Sequence, residues 1–170
     1  VTAEGQRRFA VPQWDGAAPR GRRLLVTAEQ GLGDTLQFSR CFALLTALGA
    51  DVTFECPSGL HPFMAQCRGI GALVDPKDIE TAARSADAHV PLMSLPHLLG
   101  IDLETVPAEV PYIRTDPSLT RKWTERLDHK AALRVGLCWQ GNPNNTADSQ
   151  RSMPACLLAP LGRNPNVRFY

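Results

Sequence analysis

The pattern that most narrows the fold begins at Arg23. A short apolar run, Arg23-Leu24-Leu25-Val26-Thr27-Ala28, meets the turn Glu29-Gln30-Gly31-Leu32-Gly33-Asp34 and passes directly into a helical period. An apolar run of this length suits a central strand. From Asp34 to Leu48, the residues Phe38, Cys41, Phe42, Leu45 and Leu48 recur at three- and four-residue steps. Ala43, Leu44 and Ala47 make most of the remaining surface apolar, which predicts a largely buried helix that stops at Gly49. A strand, a glycine turn and a buried helix together open a βαβ unit.

The rest of the chain repeats this alternation. Residues 51–56 read as a second strand ended by Pro57, and residues 58–68 as a second helical stretch. Short strands are expected near residues 72–74 and 88–92, with a short helix over 94–99. The fold class is therefore α/β, with a Rossmann-like parallel sheet. Residues 1–20 form an irregular lead-in that Trp14 can anchor, and residues 21–117 the first α/β domain. Residues 118–132 read as a charged linker helix containing Trp123. Residues 133–170 begin a second α/β domain: a strand from Leu133, a polar loop, a helix from about Pro154 and a strand starting near Asn166.

Composition bounds the function. With 170 residues, 44% of them hydrophobic, the chain supports one full domain and little more. Lys+Arg 18 against Asp+Glu 17 leaves a net charge of +1, which argues against a polyanion-neutralising surface and against nucleic acid as the default partner. No run approaches the ~18 apolar residues of a membrane span. Cys41, Cys56, Cys67, Cys138 and Cys156 show neither a CxxC pair nor zinc spacing, so no metal site is expected and a reducing, cytosolic compartment is the simpler reading. Both ends read as cut from a longer protein.

The chemistry concentrates at Gly31-Leu32-Gly33-Asp34. Glycines there let backbone turn sharply and approach a ligand, while a helix start offers free N–H groups. A dinucleotide fingerprint requires a third glycine where Leu36 stands, although Glu55 lies about where a ribose-binding acid belongs. Asp34 admits two roles that the residues alone leave equal. With Gln37 three residues on, it resembles the N-cap of a capping box; at the floor of a cleft, it is a general base. Gln37 and Arg40 extend it into a narrow polar band on an apolar helix. Arg40 is open to satisfying Gln37, pairing with a carboxylate or binding an anionic substrate group. His61, His89, His97 and His129 form no triad spacing, and His89, at a strand end, is the one placed nearest the expected cleft.

The segment from Glu29 to Arg40 resembles the EQGLGDxxQFxR signature of tetratricopeptide-repeat-linked glycosyltransferases. These are similar to glycosyltransferase family 9, the ADP-heptose–lipopolysaccharide heptosyltransferases. Trp14-Asp15-Gly16, the stretch from His89 to Pro96, Pro111-Tyr112-Ile113, the stretch from Arg134 to Pro143, and Asp148 with Arg151-Ser152 fit in the same order. The resemblance implies a GT-B architecture of two Rossmann-like domains, the acceptor on the first and the nucleotide sugar mainly on the second. It implies Asp34 as catalytic base, with Gly31, Leu32, Gly33, Gln37, Arg40 and His89 toward the acceptor. Gln140, Gly141, Asn142, Arg151 and Ser152 fall toward the donor, although the residues themselves favour a surface turn rich in Asn, Gly and Pro for that loop. The donor is a nucleotide sugar with no further cofactor, and the acceptor a glycan, a lipid-linked sugar or a protein. The resemblance also implies upstream tetratricopeptide repeats and a larger second domain. A non-catalytic scaffold of the same fold and a nicotinamide-binding enzyme are the alternative readings.

Overall fold

The computed structural model describes residues 9–127 and 133–170, and the chain divides into two compact units, Val1–Asp116 and Pro117–Tyr170. In the first unit, β1 (Arg23–Thr27), β2 (Asp51–Glu55), β3 (Ala72–Val74) and β4 (Ala88–Pro91) form one four-stranded sheet, all parallel, in the order β3-β2-β1-β4. Helices flank it on both faces, which is the α/β arrangement read from the chain and is compatible with a Rossmann-like sheet. Central β1 has Leu24, Leu25, Val26 and Thr27 all buried, as a strand covered on both sides must be.

One face of the sheet carries Leu24, Val26, Val52, Phe54, Ala88 and Val90. Against it pack α1 (Leu32–Phe38) and α2 (Phe42–Ala47), with Phe42 and Phe54 ring centroids 4.9 Å apart. α3 (His61–Met64) and α5 (Leu95–Leu98) close the same core through Met64 and Leu95. The opposite face is thinner: Leu25 meets Ile79 and Ala83 of α4 (Ile79–Ser85), with Phe9 and Val74 at the margin.

The predicted continuous helix over residues 34–48 differs from what is found. It starts earlier, at Leu32, and is divided by a 3-10 turn at Ser39–Cys41. Ser39 is the local cause: its hydroxyl donates back to the Leu36 carbonyl at 2.8 Å, a bond that competes with regular helix geometry. Nor is the helix buried all round. Phe42 and Leu45 are fully buried, but Ala43, Ala47 and Leu48 remain exposed because no layer covers that side of α2. Gly69 shows how tightly the other side packs. Its φ is +87°, and a Cβ there would lie 2.4 Å from the Phe42 carbonyl carbon.

The lead-in is less irregular than expected. Gln13 bridges His89 in parallel, with the His89 amide donating to Pro12 and the Trp14 amide donating to His89, so residues 12–14 extend the sheet beside β4. Trp14 is 2% exposed, and its indole N–H donates to the Ala17 carbonyl at 2.9 Å.

The second unit contains α6 (Pro117–Arg126) and a parallel pair, β5 (Leu133–Val135) with β6 (Val167–Phe169). The tail of the predicted linker helix, with His129, lies outside the described residues. Instead of an α-helix from Pro154, residues Ala155–Arg163 form a 3-10 helix with Pro160 inside it. Proline removes the amide and crowds the carbonyl that an α-helical turn would need there. No described residue of this unit is fully buried.

Candidate functional site

The strand order places the glycine turn. The chain moves outward from β1 to β2 and β3, then returns to β4 on the other side of β1. Between β1 and β4 the connections therefore diverge, and at the carboxyl ends of such strands open α/β sheets bind ligands. The turn Ala28–Gly31 sits at that point. Glu29 spans it, accepting the Met93 amide from the turn that follows β4. Gln30 adopts φ +56°, the only positive φ of a non-glycine residue among those described.

Asp34 occupies the third position of α1, so it is not the N-cap that the Asp-x-x-Gln spacing suggested. Gly31 is the N-cap, and Asp34 Oδ2 accepts its amide at 2.9 Å. This is half of a capping box, because glycine has no side chain to return the bond. The carboxylate is thus oriented by backbone while only half-buried, and Oδ1 makes no hydrogen bond among the described residues. Leu32 is 53% exposed, and a Cβ at Gly33 would meet nothing within 4 Å. Open space over the first turn is what a ligand approaching the backbone requires.

The expected polar band does not act as one group. Gln37 and Arg40 line a cavity of about 210 Å3 with Phe38, Pro96, Val106 and Pro107, and Asp34 is not among its walls. Ordinary ligand pockets run to ~300–1,000 Å3, so this one suits a single small group. Arg40 is largely committed to structure. Its Nε donates to the Gln37 carbonyl at 3.0 Å, a terminal nitrogen donates to Pro107 at 3.1 Å, and its guanidinium lies 4.8 Å from the Tyr112 ring centre. Of the roles the chain left open for Arg40, the structure favours a brace between α1 and residues 107–112.

His89 is not brought to Asp34. It is paired with Leu25, which puts its side chain on the sheet face opposite α1. Burial lowers the pKa of its imidazole, and Nδ1 is buried without a hydrogen-bond partner. Glu55 is 2% exposed, so it is not presented as a ribose-binding acid, and half-buried Leu36 packs into the core where the fingerprint needs glycine.

At the neighbouring strand ends, Asp75 follows β3 and accepts the Ser58 hydroxyl at 2.8 Å, with His61 Nε2 3.9 Å away. His61 Nε2 donates instead to the Cys56 carbonyl at 3.1 Å. The serine is bonded to the carboxylate rather than to the imidazole, which is not a nucleophile relay. Neither this cluster nor the Glu29 bridge was read from the chain, since each joins residues of different βα units and leaves no local spacing.

In the second unit, the residues expected on the donor side form one closed loop around Asp148. The Gly141 amide donates to Ser152 Oγ at 2.8 Å, and Ser152 Oγ donates to Asp148 Oδ1 at 2.7 Å. Arg151 Nε lies 3.7 Å from the same oxygen. Pro154 is the N-cap of the 3-10 helix that follows. A Cβ on Gly141 would come within 2.7 Å of Asp148 Oδ1, so a side chain there would displace the Asp148 carboxylate from its loop partners. Asn142 is spent on the loop too, its Oδ1 accepting the Asn144 amide at 3.0 Å. Gln140 is exposed beside it.

Fold and site together define an α/β domain with a parallel sheet and a glycine–aspartate turn at its switch point. No protein-family model matches the chain, and no solved structure matches it. The chain is similar to protein FlbA of Caulobacter vibrioides, at 26% identity over 188 aligned residues. That alignment covers 95% of this chain and 30% of FlbA, so the chain spans less than a third of its relative's length. No helix among the described residues is long and apolar enough to cross a membrane.

Proposed function

We propose that the chain is the acceptor-side part of a glycosyltransferase that moves a sugar from a nucleotide sugar to an acceptor hydroxyl, with Asp34 as general base. The supporting observation is the position of Asp34: at the switch point of a parallel sheet, one carboxylate oxygen fixed by the Gly31 amide and the other without a hydrogen bond among the described residues. A base held this way is aimed without being neutralised. As the acceptor hydroxyl attacks the anomeric carbon, its proton passes to Asp34, and the bond to the nucleoside diphosphate breaks with inversion. Developing charge on the leaving group calls for backbone N–H groups and cations, and this chemistry needs no metal. Gly31, Leu32 and Gly33 provide open backbone beside the base, and Gln37 a polar group one turn further on.

The resemblance of residues 29–40 to the signature of tetratricopeptide-repeat-linked glycosyltransferases supports the same reading, as does the order of the later motifs. The proposal extends to a larger second domain for the donor and to upstream tetratricopeptide repeats. Placement in the cytosol belongs with it. The test is sugar transfer by the full-length protein carrying Asp34→Asn, in which the amide oxygen still accepts the Gly31 amide but takes no proton. Turnover is expected to fall by about 10²–10⁴; unchanged turnover removes Asp34 from the mechanism. A scaffold of the same fold is the second reading, favoured by the commitment of Arg40 and Arg151 to internal partners. It predicts no binding of UDP- or ADP-sugars by the full-length protein.

A further inference from the structure

Among the described residues, one buried side-chain nitrogen or oxygen has no hydrogen-bond partner: Nδ1 of His89. A buried polar atom left unsatisfied is destabilising, so a satisfied core leaves few of them. His89 also lies where the sheet gains its outermost pairing. Its own amide donates to Pro12 at 3.0 Å, and its carbonyl accepts the Trp14 amide at 2.8 Å. Phe9 closes over the imidazole, with ring centres 4.8 Å apart and planes tilted by 59°. Trp14, buried in the core on the other face of the sheet, anchors the far end. Residues 9–14 thus wrap the edge strand β4 and grip both faces of the sheet.

We propose that residues 9–14 form an acid-released strap, closed while His89 is neutral and loosened when His89 is protonated. The neutral ring leaves one nitrogen dry beneath Phe9. Protonation puts a charged N–H donor there with no acceptor among the described residues, and opening the strap hydrates it. Among the described residues, the facing groups supply no counter-charge. β1 presents Leu25; α4 presents Ile79 and Ala83, with its Glu80 and Arg84 exposed; the strap presents Phe9 and Gln13. Arg23 and Asp87, on the same face, are bonded to each other at the amino end of the sheet. Burial lowers the imidazole pKa.

The sign follows. With the closed-state pKa below the open-state value of ~6.5, closure is complete above that pH and weakens as pH falls toward the closed-state pKa. The opening constant rises about tenfold for each unit by which the two values differ. The strap is independent of the proposed transfer chemistry, although β4 leads straight into the turn whose Met93 amide Glu29 accepts.

Amide hydrogen exchange on the chain tests this. Protection factors of the His89 and Trp14 amides are followed from about pH 7.5 to about pH 5, with Leu24 and Val52 as core controls. They are expected to fall with acid while the controls hold, and to become pH-independent in His89→Phe and His89→Gln. NMR titration of the wild-type His89 ring is expected to give a midpoint below ~6.5. An equal acid response in the variants overturns the proposal, as does a ring midpoint at or above the ordinary histidine value. Should the variants fail to fold, the wild-type titration and exchange profile decide.

Discussion

At the scale of single residues, Gly33 and Asp34 allow folding and the proposed function to be tested apart. Gly33 is inside α1, its φ lies outside the left-handed region, and nothing stands within 4 Å of a Cβ built there. Gly33→Ala should therefore leave stability unchanged or raise it by up to about 1 kcal/mol in urea denaturation. If the open turn receives substrate, the same variant lowers turnover. Asp34→Ala removes the acceptor of the Gly31 amide and is expected to cost about 1 kcal/mol, a loss that Asp34→Asn should largely avoid. Asp87 gives a pH dependence of the same sense as His89, in a more acidic window. Hydrogen bonds from Arg23 hold its carboxyl down at about 2. Its stabilising contribution is present above the ordinary carboxylate range and is lost as pH falls toward that value. The gap in urea midpoint between wild type and Asp87→Asn should accordingly close between pH 5 and about pH 2. The thiols divide as well. Cys41 and Cys56 are pushed up to about 11 by burial, Cys67 is also raised, and Cys138 and Cys156 are exposed. A thiol-reactive disulfide reagent should label the two exposed cysteines quickly and the other three only on unfolding.

At the scale of elements, the chain revealed β1 to β4 because apolar runs and their terminators are local signals. Pro57 after β2 and Gly31 at the start of α1 need no knowledge of the rest of the fold. What stayed hidden depends on distant partners. The 3-10 turn at Ser39–Cys41 arises where the Ser39 hydroxyl turns back to Leu36, and apolar periodicity does not register it. No element is expected from the sequence between residues 74 and 88, although Ile79, Ala82, Ala83 and Ala86 carry a helical period there. Arg40 looked available for an anion because its partners, Pro107 and Tyr112, lie about seventy residues away in the chain. Gly69 offers a strong test of the packing between α2 and the segment before β3. With φ +87° and backbone 2.4 Å from an added Cβ, Gly69→Ala should destabilise the first unit by several kcal/mol, far beyond an ordinary exposed glycine. Thermal denaturation followed by circular dichroism measures it.

At the scale of the whole molecule, the two units differ in kind. The first has a core on each face of a four-stranded sheet; the second has a two-stranded parallel pair and no fully buried residue among those described. Parallel strands are ordinarily covered on both faces, and Leu133, Leu157 and Leu161 are instead 45–63% exposed. The chemistry that the fold positions best therefore belongs to the first unit and comes down to one carboxylate at the switch point. The measurement that bears on this most directly is transfer from a nucleotide sugar by the full-length protein, wild type against Asp34→Asn, with circular dichroism showing equal folding. The account predicts transfer by the wild type and a loss of about 10²–10⁴ in turnover for the variant. Equal turnover by the two would contradict it.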